Sequence, residues 1–332
     1  MLAAATGLEA VLCGWREASL DEAGMRVGNR PVAIALAHAL AGTRPEVAPV
    51  DVDEWRALDR FLCEAARAGT VTSGLGGSWS WGRKDVLERR LRAYTRRTGV
   101  AVPRPNTWLR AAAVPRGRGP VIVKLAARHR SLGVSLVAPG QSLDGAEAAV
   151  VQELLADPLL VDGHKFDLRL HVVVVPSDRL ASRAVDATLV RIAALPFEPG
   201  RLESELTPNL VRLRLGLPPG IYDVRRAPFP EALRRRLASE ALRLGEAFLD
   251  VYFDWLAQHP PSEPPAGRER RAFLLGLDAL VRGPETAPRL LLLECNPHPF
   301  LWRHFEPCDS AVERCLRDGL APALLSASGP PE

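Results

Sequence analysis

The stretch "HKFDLRLHVVVV" (164–175) alternates strictly at its start, so Lys165, Asp167 and Arg169 share one face of a strand while Phe166, Leu168 and Leu170 share the other. Taken alone, the pattern suits the solvated edge of an antiparallel sheet. Further strands are predicted along the chain. "PVIVKLA" and "GVSLVAP", separated by the polar "ARHRSL", read as a hairpin with Lys124 on its first strand, and "AVVQELL" and "DATLVRIAALPF" are also β-rich. "AFLLGLDALVRG" and "RLLLLECNPHPF" read as two strands joined by the loop "PETAP". Helical spacing appears in "DVLERRLRAYTRR" and in the long "PEALRRRLASEALRLGEAFLDVYFDWLAQ", where Leu233, Leu237, Leu244, Phe248, Val251 and Trp255 recur on one side. The segment up to about residue 70 reads as mostly helical, and the Gly/Ser-rich "TSGLGGSWSWGRKD" marks a boundary after it.

Composition narrows the picture. A chain of 332 residues with 47% hydrophobic content buries more than one core. No run approaches the ~18 apolar residues of a membrane span, and the N-terminal stretch has no basic leader, so a soluble, cytoplasmic protein is expected. Five cysteines without CxxC spacing fit neither a disulfide framework nor a zinc ribbon, and His298, His304, Cys308 and Cys315 match no standard metal spacing. Only Lys84, Lys124 and Lys165 are lysines among 43 basic side chains. An arginine bias of this kind means that the run Arg234 to Arg236, on the wet side of an amphipathic helix, needs no nucleic-acid partner. It also makes each lysine informative, because a compact ammonium at a phosphate is not freely replaced by guanidinium.

The last two strands carry the candidate metal site. Folded symmetrically about Thr286, they place Asp278 opposite Glu294 and Gly276 opposite Asn296. Facing carboxylates repel. Mg²⁺, a hard cation held by carboxylates and substrate phosphates, relieves that repulsion, with Asn296 adding an amide oxygen. A polar strand face with Lys165, Asp167 and Arg169, a carboxylate pair and a lone Lys124 together suit a nucleoside triphosphate. Neither GxxxxGK[ST] nor GxGxxG after a strand occurs.

In this order and spacing the motifs resemble the tubulin–tyrosine ligase-like amino-acid ligases, from about Gly74 to Phe300. The motifs are "GSWSWGRKDVLERRL", "VPRPNTW", "VIVKLAARHRSLGVSLV", "VVQELLADPLLVDGHKFDLRLHVVV", and "LLGLDALV" followed by "LLLLECNPHP". The resemblance implies an α+β ATP-grasp fold of antiparallel sheets with flanking helices. It implies an N-terminal domain over 1–75, a central subdomain over 76–152 and a C-terminal subdomain over 153–332. It further implies that Lys124 contacts the phosphates, that Gln152, Glu153, Leu154 and Leu155 form the adenine hinge, and that Lys165 and Asp167 also hold ATP. Arg169 would stabilise the transferring phosphoryl group, Arg191 would bind the amino acid, Thr207 and Asn209 would line the substrate loop, and Asp278, Glu294 and Asn296 would hold Mg²⁺.

Two departures stand out: Ser131 replaces the first glycine of the phosphate loop, with Gly133 kept, and Pro208 separates Thr207 from Asn209. No lysine follows Lys165, so the downstream lysine of glutamate-adding relatives has no counterpart. The expected activity is ATP-dependent ligation of an amino acid to a peptide or protein through an acylphosphate, with ATP and Mg²⁺ as cofactors and without nucleic-acid or membrane partners. A catalytically silent ATP-binding module is the alternative.

Overall fold

The computed structural model describes short strands at 10–11, 18–20, 25–27 and 71–72, and then residues 79–125, 134–143, 149–201, 220–259, 273–296, 311, 314–320 and 323. In the first 72 residues the described parts are extended rather than helical. Ala10–Val11 pairs in parallel with Val71–Thr72, and Ala18–Leu20 pairs antiparallel with Met25–Val27. The rest of this segment, expected to be mostly helical, lies outside the described residues.

Helix α1 (Lys84–Thr98) buries Leu87, Leu91 and Tyr94 and ends at Gly99, whose φ of 74° lets its N–H return to the Thr95 carbonyl. Four strands follow: β1 (Thr107–Trp108), β2 (Val121–Leu125), β3 (Val134–Val137) and β4 (Ala149–Glu153). They form one antiparallel sheet in the order β1-β4-β2-β3, around Val121, Val123 and Val151. The β2–β3 hairpin is the one the apolar pattern predicts, with Lys124 on its first strand.

The second sheet is larger. It comprises β5 (Leu160–Val161), β6 (His164–Val175), β7 (Asp178–Ile192), β8 (Ile221–Asp223), β9 (Phe273–Arg282) and β10 (Arg289–Asn296), and it is antiparallel throughout, in the order β8-β7-β6-β9-β10 with β5 on the start of β6. An Asp162–Gly163 turn, with φ of 47° and 76°, folds β5 back onto β6 and sets the register of Lys165. Helix α2 (Glu231–Gln258) covers one face of this sheet through Leu233, Leu237, Leu244, Phe248 and Val251, as its periodicity predicts. It seats closely. A Cβ on Gly245 would lie 2.7 Å from the Ala184 Cβ, so this position accepts only glycine without a shift of the helix.

β6 lies between β7 and β9, not at an edge. Phe166, Leu168, Leu170, Val172 and Val174 face the α2 core, and the opposite face is buried too, with Lys165 2%, Asp167 5%, Arg169 9% and His171 1% exposed. Charges in that position must be paired or serve a ligand. Among the described residues, no helix is long and apolar enough to cross a membrane.

Candidate active site

The floor of the site is a chain of ion pairs on the polar face of β6. Cross-strand register sets Asp167 opposite Arg191 of β7 and Arg169 opposite Asp278 of β9. Arg191 donates to both oxygens of Asp167 at 2.6 and 2.8 Å and reaches Asp278 at 3.0 Å. Arg169 donates to both oxygens of Asp278 at 2.8 Å. The order Asp167–Arg191–Asp278–Arg169 therefore alternates in sign. Burial alone would raise the Asp278 pKa, but Arg169 and then Arg191 outweigh it and hold the carboxyl well below its usual range. Burial likewise opposes the charge on Arg191, which Asp167 and Asp278 more than restore.

The three lysines lie near this floor. Lys165 starts the polar face of β6 and lies beside the Phe197 ring. Lys124 donates to the Gln152 Oε1 at 2.6 Å, and Gln152 passes the contact on through its Nε2 to the Thr107 Oγ1 at 3.1 Å. Burial, with Lys84 and Lys165 adding repulsion, pushes Lys124 down to about 8 despite the attraction of Glu294 and Asp278. Lys84, at the start of α1, is buried and reaches the Glu294 Oε2 at 3.5 Å. Its helix is held in place by the buried Glu88, which accepts from Arg92 at 2.6 Å and Arg104 at 2.9 Å, while Arg92 also reaches the Thr107 carbonyl. Lys84, Lys124, Thr107 and Gln152 line one cleft between α1, the first sheet and β10.

A β-bulge aims the acidic edge of the site. Near its tip the β9–β10 hairpin pairs Ala279 with Leu292, Leu280 with Leu291 and Arg282 with Arg289. A register shift then brings Asp278 opposite Glu294 and Gly276 opposite Asn296. Symmetric folding about Thr286 therefore describes the open end but not the tip. Without the extra residue, Glu294 would share the core face of Leu290 and Leu292; the bulge at Leu293 turns Glu294 and Asn296 to the polar face and leaves Cys295 in the core. Burial, and the nearby carboxylates Asp278 and Glu294, push the Cys295 thiol far up, so it is inert there.

The donor set fits Mg²⁺ in chemistry: Asp278, Glu294 and Asn296 share the polar face, and the Asn296 Nδ2 is buried without a hydrogen-bond partner, leaving an amide free to be oriented. With just two carboxylates, the set would need water and substrate oxygens for the remaining positions. No group of three or more His, Cys, Asp or Glu side chains able to hold a metal occurs among the described residues. His298, His304 and Cys308 lie outside them, and Cys315 is buried.

Of the residues singled out in the sequence, Lys124 and Gln152 line this cleft, Lys165, Asp278 and Glu294 act electrostatically on Lys124, Asp167, Arg169 and Arg191 join Asp278 in the ion-pair floor, and Asn296 follows Glu294 on the polar face of β10. Glu153 accepts from the Asn106 Nδ2 at 2.7 Å, and Leu154 and Leu155 are buried behind it. Thr207, Asn209, Pro208, Ser131 and Gly133 lie outside the described residues. Lys84 was flagged in the sequence by its rarity alone; its place against Glu294 is a contact between elements some 200 residues apart, beyond the reach of local pattern.

Residues 89–210 match the model of the tubulin-tyrosine ligase family. The chain is 32% identical over 133 residues to mouse tubulin monoglutamylase TTLL4, 35% over 152 residues to human tubulin polyglutamylase TTLL5, and 36% over 86 residues to human tubulin polyglutamylase TTLL7. These matches cover 37%, 43% and 26% of the chain but only 11%, 12% and 10% of the relatives' own lengths. Among solved structures, the C-terminal domain of K. lactis Pby1, described as an ATP-grasp enzyme interacting with the mRNA decapping enzyme Dcp2, superposes with a TM-score of 0.55 at 17% identity, over 86% of this chain and 87% of that one. Motifs, matched segment and fold agree: residues 89–210 are similar to the tubulin-tyrosine ligase family, and the chain has an ATP-grasp fold.

Proposed function

We propose that this chain is an ATP-dependent carboxylate–amine ligase that joins an amino acid to a peptide or protein. One observation carries the reading: all three lysines of an arginine-rich chain converge on a buried floor of paired arginines and carboxylates. Residues 76–152 and 153–332 would be the two halves that grip the nucleotide. Lys84, Lys124 and Lys165 neutralise the triphosphate, Gln152 to Leu155 form the hinge beside adenine, and Asp167 accepts from the sugar or base. Arg169 faces the transferring phosphoryl group, and Arg191 takes the amino acid's carboxylate in a bidentate pair. Thr207 and Asn209 would line the substrate loop.

In this reading the acceptor carboxylate oxygen attacks the γ-phosphorus and ADP leaves, giving an acylphosphate. The amine nitrogen then attacks the acyl carbon, phosphate departs and the nitrogen sheds its proton. Mg²⁺, held by Asp278, Glu294 and Asn296, would supply charge neutralisation at the phosphates. The chain's own part is positioning and electrostatics in a site where water is scarce. Its relatives are tubulin glutamylases by name, so glutamate and tubulin are the first donor and acceptor to offer. The test combines protein, ATP, Mg²⁺, labelled glutamate and tubulin or a Glu-rich peptide: one ADP per amide bond supports the reading. Nucleotide binding without ADP formation under any amino-acid and acceptor mixture would favour a silent ATP-binding module, for which the engagement of Asp278 by two arginines is the supporting observation.

The pKa of Lys124 gives a pH signature. A lysine lowered to about 8 is largely neutral at pH 9, whereas a phosphate contact needs the ammonium. Nucleotide binding should therefore take up a proton near pH 9 and little at pH 7. Calorimetry in buffers of different ionisation heat reads this directly. Lys124→Arg, permanently charged, should abolish the uptake, and equal uptake in both proteins would remove Lys124 from the phosphates. The same shift costs the ligand-free protein stability below about pH 8, and that cost is relieved as pH rises toward the ordinary lysine value of 10.5.

A further inference from the structure

Three hydrogen bonds run end to end across the smaller sheet and finish at Lys124. The Thr107 Oγ1 donates to the Pro105 carbonyl at 2.9 Å, the Gln152 Nε2 donates to the Thr107 Oγ1 at 3.1 Å, and the Lys124 Nζ donates to the Gln152 Oε1 at 2.6 Å. Strand register makes the chain possible. Thr107 of β1 pairs with Gln152 of β4, and Gln152 pairs with Ile122 of β2, so Lys124, two residues further along β2, is the diagonal neighbour of Gln152 on the same face. All three side chains line the cleft, and Thr107 and Gln152 are buried.

The direction of each bond follows from the groups at the two ends. A carbonyl oxygen only accepts, so the single proton of the Thr107 hydroxyl goes to Pro105 and a lone pair faces Gln152. An ammonium only donates, so the Gln152 amide turns its oxygen to Lys124 and its nitrogen to Thr107. The amide therefore has one orientation. Strand β1 is itself pinned on both sides: the Asn106 carbonyl accepts from the Glu153 N–H at 2.8 Å, and Arg92, paired with the buried Glu88, reaches the Thr107 carbonyl.

We propose that Thr107 is a positioning residue for Lys124: it holds the Gln152 amide with Oε1 against the ammonium, which steadies that side chain in the cleft and leaves its other N–H groups to a phosphate. This rests on the reading of Lys124 as a phosphate contact and adds the pair of side chains that hold it. In this arrangement the Gln152 side chain serves the lysine rather than the base. Without the hydroxyl the amide is free to turn its nitrogen toward Nζ, setting a donor against a donor, and the ammonium loses its fixed acceptor. The same acceptor opposes the effect of burial on Lys124. It favours the ammonium over the neutral amine, as Glu294 on β10 and Asp278 on β9 do, against desolvation and the charges of Lys84 on α1 and Lys165 on β6, while Glu88 and Arg104 line the same cleft.

The test is calorimetric titration of a non-hydrolysable ATP analogue with Mg²⁺ into the full chain, for wild type, Thr107→Val, Thr107→Ser, Gln152→Met, Lys124→Ala and the double variant Thr107→Val/Lys124→Ala. Ligand-free thermal melting confirms that each is folded. Thr107→Val, which keeps the shape and loses the hydroxyl, should weaken binding about 3–10-fold, Thr107→Ser should restore most of it, and the double variant should bind no more weakly than Lys124→Ala alone. Proton uptake on binding should set in at a lower pH in Thr107→Val than in wild type, a change that a merely structural hydroxyl would not produce. Should Thr107→Val fail to fold, Gln152→Met, which removes both ends of the amide and leaves Thr107 in place, should show the same loss and the same displacement of proton uptake. Wild-type affinity in folded Thr107→Val or Gln152→Met while Lys124→Ala is weakened, or losses that add in the double variant, would overturn the positioning role and leave Lys124 at the phosphates. Unchanged affinity in Lys124→Ala would remove the lysine from the phosphates, and with it both readings.

Discussion

Asp278→Ala should be the most damaging single substitution in the site, lowering stability by about 3–5 kcal/mol and abolishing nucleotide-dependent turnover. Asp278 accepts both bonds of Arg169 and one from Arg191 while 3% exposed, so its removal leaves two buried guanidinium groups without the carboxylate between them, Asp167 staying paired with Arg191. Breaking a buried ion pair from one side costs that much because the remaining charge stays desolvated. Urea melts check the stability term. Asp278→Asn separates it from the metal role: the amide keeps the volume and one acceptor, so stability should recover in part while Mg²⁺–nucleotide binding does not. Acid should act in the same direction. A carboxyl held below its unfolded value gives stability that is present above about pH 4 and lost as pH falls through the folded value, so the Asp278 contribution disappears only in strong acid.

Lys84→Ala should weaken nucleotide binding by about 10–100-fold, the range of a charge-assisted contact worth 1.5–3 kcal/mol. Lys84 reaches Glu294 from the start of α1 and lines the same cleft as Lys124, so it adds to the cationic side of the site. Its removal also frees Glu294, which then repels the triphosphate when no metal is present. The loss should accordingly be larger without Mg²⁺ than with it, a difference that a purely structural lysine would not produce. Titrating ATP with and without Mg²⁺ into Lys84→Ala reads both effects, and an equal loss in the two conditions would place Lys84 outside the phosphate site.

How far the site is legible in the sequence differs residue by residue. The alternation of Lys165, Asp167 and Arg169 against Phe166, Leu168 and Leu170 is a local signal, and the structure keeps it. What alternation could not tell was that the polar face is as buried as the apolar one, since that depends on strands and loops distant in sequence. The opposition of Asp278 and Glu294 emerges from folding the hairpin about Thr286, yet the bulge at Leu293 does not, because "RLLLLE" is apolar on both faces and offers no alternation in which a slipped register would show. Arg191 came into view through family resemblance; its bidentate grip on Asp167 is a cross-strand contact that becomes visible only once β6 and β7 are paired. Lys84 and Thr107 required three dimensions. One bridges a helix and a distant hairpin, and the other is distinguished by the side chain it holds. The strands of the first segment, only two or three residues long, are too short for any period to be counted.

The claim underlying all of this is that the lysine-rimmed ion-pair floor holds a metal-bound triphosphate. Its most direct test is calorimetric titration of Mg²⁺–ATP into the wild-type chain, Lys124→Ala and Lys165→Ala. The account predicts one nucleotide bound per chain and a loss of about 10-fold or more in each variant, both variants remaining folded. Binding of equal strength in all three proteins, or no binding by a folded wild type, would contradict it.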